Sequence, residues 1–192
     1  MEDVALLKDE ELVFHYMEGE DSAFVELVDR YLKPVYNFSY RLCGDKKDAE
    51  EISQESFVKL WKNIAKFKQG QKFKTWFYTI VRNTTIDWMR KKKHVLFSQF
   101  DNEDGGNFIE DTLVDTEKTA HELFEIGENK KIVEKFLGEI TLQYREVLLL
   151  RYHEGLDFEE IGKMLKKSVN TVKSQHRRAL IILRKKLENA PK

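Results

Sequence analysis

Two clusters of side chains in this chain have types and spacing suited to holding a polyanion. In the first, Phe67, Phe73, Trp76, Phe77, Tyr78 and Trp88 alternate with Lys66, Lys68, Lys72, Lys74, Arg82 and Arg90. Flat rings beside a basic groove stack on unpaired bases, at about 1–3 kcal/mol per base, while the cations follow the phosphates. Helical spacing assigns Phe77 and Trp88 to a core and leaves Phe67 and Phe73, in the intervening loop, as the better candidates for touching nucleic acid. In the second cluster, Lys173, Ser174, Arg177 and Arg178 fall on one side of a periodic stretch whose other side carries Val172, His176, Ala179, Leu180, Leu183 and Leu187. An Arg near the start of such a helix reads guanine O6 and N7, whereas Lys and Ser serve either base edges or phosphates.

Bond-making chemistry has no comparable signature. The sequence holds no Gly-rich phosphate loop, no nucleophile beside a base and no carboxylate pair with a metal-binding histidine, which argues against an enzyme and against a cofactor. The five histidines are scattered without metal-ligand spacing, and Cys43 is the sole cysteine, which excludes an internal disulfide and a thiolate cluster.

The second cluster needs two helices and a tight turn to present it. Asp157 and Glu160 make a capping box that opens a short helix with Phe158, Ile161 and Leu165 inward. Lys166-Lys167-Ser168 is the turn, and Ser168 or Asn170 caps the next helix, giving the outline of a helix-turn-helix. Short helices starting near Lys130, Thr141 and Asp157 precede a last long one that runs to about Leu187.

For the first cluster the spacing predicts four helices. Phe24, Leu27, Val28, Tyr31 and Leu32 line one, and Val35, Phe38, Ser39 and Leu42 line a second after Pro34, which stops at Cys43-Gly44-Asp45. Asp48, with Glu51 at the reciprocal position, caps a third whose buried stripe is Ile52, Phe57, Leu60, Trp61 and Ile64 and whose other face shows Glu51, Gln54 and Glu55. After the loop from Phe67 to Lys74, a fourth buries Phe77, Ile80, Val81, Thr84 and Trp88 and ends in Arg90-Lys91-Lys92-Lys93.

Charge is sorted along the chain. Lys and Arg number 1 against 7 Asp and Glu in residues 1–20, 16 against 9 in 21–97, 1 against 10 in 98–128, and 15 against 8 in 129–192. The near-neutral total of −1 conceals two basic blocks separated by a strongly acidic stretch. Residues 98–120, with Asp101, Asn102, Glu103, Asp104, Gly105, Gly106 and Asn107, are too polar to bury a core and read as a linker. No apolar run approaches the roughly 20 residues of a membrane span, and the acidic start is unlike a signal peptide, so the expectation is a soluble intracellular protein. The expected fold is all-α: a helical domain over 1–97, a flexible acidic linker over 98–128, and a second helical domain with the helix-turn-helix over 129–192.

Three ordered motifs carry a family resemblance. They are Asp48-Ala49-Glu50-Glu51-Ile52-Ser53-Gln54-Glu55-Ser56-Phe57; Phe73 through Asn83; and Tyr144-Arg145-Glu146-Val147 through Gly162 with Thr171-Val172-Lys173-Ser174. Together they resemble the sigma-70 family of bacterial RNA polymerase initiation factors, and more narrowly its small extracytoplasmic-function (ECF) group. The resemblance runs from about Ala23 to Leu187 apart from the linker. It implies that Glu51, Gln54 and Glu55 bind the clamp helices of the largest polymerase subunit, that the loop from Phe67 to Lys74 takes up a flipped base, and that Lys72, Lys74, Trp76, Arg82, Asn83, Asp87 and Arg90 serve the melted minus-10 strand. It further implies that Lys173, Ser174, Arg177 and Arg178 read minus-35 DNA, that the C-terminal domain meets the flap of the second polymerase subunit, and that an anti-sigma protein restrains the chain. Two departures are the absence of a proline near Leu142 and Gln175 where many relatives carry Arg. A competing reading, a stand-alone helix-turn-helix regulator, predicts dimerisation on symmetric half-sites and leaves the Glu51, Gln54 and Glu55 face and the aromatic loop without a purpose. The acidic segment before Glu20 has no assigned role.

Overall fold

A computed structural model describes residues 4–97 and 130–188, and among these every regular element is helical. The expected acidic linker lies outside the described residues. Four helices precede it: α1 (Asp9–Met17), α2 (Asp21–Cys43), α3 (Lys46–Asn63) and α4 (Phe73–Phe97). Four follow: α5 (Lys130–Glu139), α6 (Leu142–Leu148, prolonged by a π turn over Leu149–His153), α7 (Phe158–Leu165) and α8 (Val169–Glu188).

The first half has the expected number of helices but a different division. The two helices predicted on either side of Pro34 are one, α2, with the proline inside it. Pro34 has no amide to offer the carbonyl four residues back. Leu27, Tyr31, Val35, Phe38 and Leu42 nonetheless form one buried stripe across it, and that packing outweighs the missing bond. The helix ends where Gly44 takes φ 81 and its amide donates to the Tyr40 carbonyl at 2.8 Å, a left-handed close that suits glycine. Asp45, not Asp48, caps α3: its Oδ1 accepts the Asp48 amide at 2.9 Å, and the Asp48 carboxylate instead takes Lys92 Nζ from α4 at 2.6 Å.

The additional helix, α1, gives the acidic N-terminus its role. Asp9 accepts Arg30 Nη1 at 2.9 Å and the Tyr31 hydroxyl, and Glu10 accepts the Phe73 amide at 2.8 Å, so it satisfies a free donor at the start of α4. Arg30 donates also to the Leu7, Val4 and Ala5 carbonyls and to Glu26, which ties the first turn of the chain to α2. Behind these contacts lies an aromatic core in which Tyr31 meets Phe73 and Phe77 edge-on at 5.4 and 5.6 Å and Phe38 meets Tyr78 at 5.3 Å.

The second half packs around Val147, Leu148, Leu149 and Leu150, consecutive residues that are all buried. Ile161, Val172, Ala179, Leu180 and Leu183 join them, as the spacing predicts; the side chain of Leu187 lies outside the described residues.

Candidate nucleic-acid interface

The helix-turn-helix is built by local bonds. Asp157 Oδ1 accepts the Glu160 amide at 2.8 Å while Glu160 Oε2 accepts the Asp157 amide at 2.7 Å, the reciprocal box that opens α7. Lys166 adopts φ 54, ψ 44, and the Lys167 amide returns to the Gly162 carbonyl at 2.9 Å. A Cβ on Gly162 would stand 3.0 Å from the Lys167 carbonyl oxygen, so the turn closes this tightly only around glycine. Ser168, rather than Asn170, then caps α8, its Oγ accepting the Thr171 amide at 3.1 Å.

On α8 the expected division holds. Lys173, Ser174 and Arg178 are exposed, Arg177 is half-buried, and His176 is buried at 6% exposure on the inner face. His176 bonds the Tyr152 hydroxyl at 2.9 Å and meets Phe158 edge-on at 5.1 Å. Burial, and then the charge of Arg151, lowers its pKa from 6.5 to about 4, so it is neutral at physiological pH. Phe158 in turn lies under the Arg151 guanidinium at 4.8 Å and within 5.9 Å of Lys173 Nζ, which braces one of the outward cations of α8. Gln175 accepts from Lys167 Nζ at 3.1 Å and donates to Gln143 at 3.3 Å.

In the first half, two of the expected contact residues are corrected. Phe67 is 5% exposed and Phe73, the first residue of α4 and not part of a loop, is fully buried. Their rings meet each other at 6.0 Å and Trp76, which is half-buried, at 5.4 and 6.1 Å. They are the two feet of the intervening loop, not free stacking platforms. What projects between them is Lys68-Gln69-Gly70-Gln71-Lys72, all exposed, folded into a turn by Gln71 Oε1 on the Lys68 amide at 3.0 Å. Asn83, Asp87 and Arg90 are exposed along α4, with Arg90 3.7 Å from Asp87.

The α3 face carries a second correction. Glu51 and Gln54 are exposed and Glu55 is half-buried, paired with Lys59 at 2.8 Å. Trp61, expected inside, is 56% exposed beside Val58 at 48%, and its indole donates to the Tyr16 hydroxyl at 2.9 Å. The face is therefore polar at one end and strongly apolar at the other. That mix of an exposed Trp and a polar surround suits a protein partner better than a nucleic acid.

The remaining expected cations meet carboxylates of the second half. Lys72 Nζ lies 2.8 Å from Glu160, Lys74 Nζ 3.5 Å from Glu154, and Arg82 donates to both oxygens of Glu146 at 2.9 and 3.3 Å. Thr75 Oγ1 donates to Glu160 at 3.4 Å, and Arg145 donates to the Leu42 carbonyl of α2 at 2.9 Å as well as to Gly138 and Ile140. Burial works to raise the Glu160 pKa, but Lys72 and the Asp157 amide win and hold it below the usual carboxylate value. For Glu154 burial prevails and raises it, against the pull of the neighbouring Tyr78 and Lys74. Sequence reasoning missed this seam, because nothing in a local pattern pairs residues so far apart.

Residues 27–95 match the family model for Sigma-70 region 2, and residues 130–183 that for Sigma-70, region 4. The chain is 33% identical over 174 residues to the ECF RNA polymerase sigma factor SigW of Bacillus subtilis, covering 90% of this chain and 92% of that one. It is 29% identical over 170 residues to the ECF RNA polymerase sigma factor SigX of the same organism, covering 88% and 85%. Among solved structures, the sigma factor RpoE in complex with the anti-sigma factor NepR from Bartonella quintana superposes with a TM-score of 0.67 at 24% identity, covering 88% of this chain and 98% of that one. CnrH in complex with the cytosolic domain of CnrY gives 0.67 at 21% identity, covering 98% and 100%.

Proposed function

This chain belongs to the ECF group of the sigma-70 family, the promoter-recognising initiation factors of RNA polymerase, and from that premise we propose how its surfaces divide the work. The α3 face of Glu51, Gln54 and Glu55, extended by Val58 and Trp61, docks on the clamp helices of the largest polymerase subunit. The loop tip from Lys68 to Lys72, with Lys74, Trp76, Arg82, Asn83, Asp87 and Arg90, holds the melted minus-10 strand. Lys173, Ser174, Arg177 and Arg178 read the minus-35 duplex, while the rest of the C-terminal domain meets the flap of the second subunit. The domains span 1–97 and 129–192, and the acidic linker 98–128 threads the polymerase near its RNA path. The protein works at the nucleoid in the bacterial cytoplasm and makes or breaks no bond. No helix among the described residues is long and apolar enough to cross a membrane. An anti-sigma partner is a further expectation, supported by the RpoE–NepR pair.

Mechanistically, the polymerase fixes the spacing between two DNA-binding surfaces, so two weak contacts add through high effective concentration. Capture of unpaired bases then shifts the promoter from duplex toward bubble. The observation that carries this reading is a pair of distinct faces on one chain: a polar and Trp-bearing face on α3, and a capped helix-turn-helix with outward cations on α8. A stand-alone regulator would use only the second.

The test is to mix the purified full chain with bacterial core polymerase and measure promoter-selective transcription. Glu55→Lys lowers core binding, and Arg178→Ala leaves core binding intact while impairing minus-35-dependent initiation. A chain that ignores core polymerase and binds a symmetric duplex as a dimer overturns the reading.

A further inference from the structure

The outer side of α2 carries an apolar stripe that the described residues leave largely open. Val25, Leu32, Tyr36 and Tyr40 recur at intervals that bring them to one face of the helix, opposite the buried stripe from Leu27 to Leu42. Val25 is 58% exposed, Leu32 53% and Tyr40 36%, and Tyr36 is half-buried. The rings of Tyr36 and Tyr40 lie parallel at 6.3 Å and make a flat shelf at the C-terminal end of the stripe. Single exposed apolar side chains are ordinary on a protein surface, but four in one row over about 22 Å of helix are the mark of a contact.

Two charges decide what the stripe meets. Asp29 and Lys33 are exposed beside it, four residues apart, and among the described residues neither has an ion-pair partner. The same helix closes such a pair between Glu26 and Arg30 at 2.7 Å, so its geometry permits the bond that Asp29 and Lys33 do not make. A second α2 laid antiparallel, with the two Leu32 side chains meeting on a two-fold axis, sets Asp29 of each copy within one turn of Lys33 of the other. Parallel pairing would instead oppose acid to acid and base to base, so charge fixes the orientation. We propose that the free chain forms an antiparallel dimer through the outer face of α2, in which each Lys33 takes the Asp29 carboxylate of the other copy and each Val25 packs on the Tyr36 and Tyr40 shelf. An acid and a base on either side of a central leucine make the face complementary to itself, which a two-fold contact demands and a partner of another kind does not. The contact is small, with a dissociation constant on the order of 10–100 μM. None of its residues belongs to the surfaces assigned above to polymerase or DNA, so the dimer stands apart from that assignment.

Sedimentation velocity on the full chain, without polymerase or DNA, reads the equilibrium from about 1 to 300 μM. The wild-type chain moves from monomer toward dimer mass across that range, while Leu32→Glu stays monomeric throughout. Asp29→Lys and Lys33→Asp each leave like charges at the two places and weaken self-association about tenfold; mixed in equal amounts, the two variants associate as tightly as the wild type. That recovery arises only between copies, because neither variant can form the pair within itself. Leu6→Glu, at a leucine 84% exposed and away from the stripe, shifts the constant less than about twofold, which separates the stripe from general apolar adhesion. A wild-type chain that is monomeric at every concentration, a mixture that fails to recover, or equal losses from Leu6→Glu and Leu32→Glu overturns the dimer. Circular dichroism confirms that each variant is folded, and the mixing of the two charge variants decides the matter should Leu32→Glu not fold. Core polymerase binding is scored separately, and its loss counts against the proposed function alone.

Discussion

The two cationic surfaces of this chain are made in opposite ways. On α8 the cations point outward from a helix whose position is set by its neighbours: the Asp157–Glu160 box, the Gly162 turn and the buried His176 fix the frame, and Lys173 and Arg178 are left to solvent. On α4 and the turn before it the cations are themselves structural, since Lys72, Lys74 and Arg82 pair with carboxylates of the other half. A surface that reads duplex DNA can stand open, because nonspecific contact with duplex is weak and salt-sensitive. The surface proposed to take the melted strand is the one whose cations Lys72, Lys74 and Arg82 are paired with carboxylates of the other half. The difference teaches that equal numbers of lysines and arginines say little until their partners are known.

Acid breaks the comparison most strongly. His176 has its folded pKa lowered from 6.5 to about 4, so the unfolded chain binds the extra proton more readily across that window. Its contribution is complete above about pH 6.5 and is lost as pH falls toward 4, a change of about 3 kcal/mol confined to the C-terminal half. Thermal unfolding at pH 7 and pH 4.5 reads it, and His176→Gln flattens the dependence while keeping a hydrogen-bonding group near Tyr152. Removing one cation from each surface comes next. Arg82→Ala strands the nearly buried Glu146 carboxylate and costs about 2 kcal/mol, less than a fully buried pair because Arg82 is a quarter exposed and the halves can separate. Arg178→Ala changes the same melting curve by under about 0.5 kcal/mol, as suits an exposed position. Equal losses from the two would erase the distinction.

Gly162→Ala tests the frame alone. The added methyl meets a backbone carbonyl that cannot swing away, at a cost of about 1–2 kcal/mol. It impairs duplex binding and leaves core polymerase binding unchanged in a pull-down. At the cap, Asp157→Ala removes the acceptor for the Glu160 amide and costs about 1 kcal/mol in chemical denaturation, no more than Gly162→Ala though above the Arg178→Ala control.

What was legible in the sequence is what depends on neighbours three or four residues away. The capping box at Asp157, the turn at Lys166 and the inner stripe from Val172 to Leu183 were all readable, because each bond in them is local. Local rules misled where two of them competed. Pro34 is a helix breaker by its missing amide, yet the apolar stripe across it kept α2 whole. The spacing names Asp48 as the cap of α3, but Asp45 holds that place, and the Asp48 carboxylate is engaged instead by Lys92, far along in α4. Phe67 and Phe73 stood in a segment without periodicity, from which exposure does not follow: a loop needs anchored ends, and these rings are the anchors. The roles of α1 and of the seam were beyond reach, since Asp9 with Arg30 and Arg82 with Glu146 pair across 21 and 64 residues with no repeating signal between them.

The unbroken α2 has a mechanical consequence. Its 23 residues make a beam about 34 Å long. Near its middle Arg30 bolts down the opening turn of the chain, and at its C-terminal end the Leu42 carbonyl receives Arg145 from the C-terminal half. Two flexible pieces split at Pro34 would bend independently; a single stiff member ties the N-terminal acidic turn and the C-terminal anchor to one lever, so a tilt imposed at either mooring is delivered to the other.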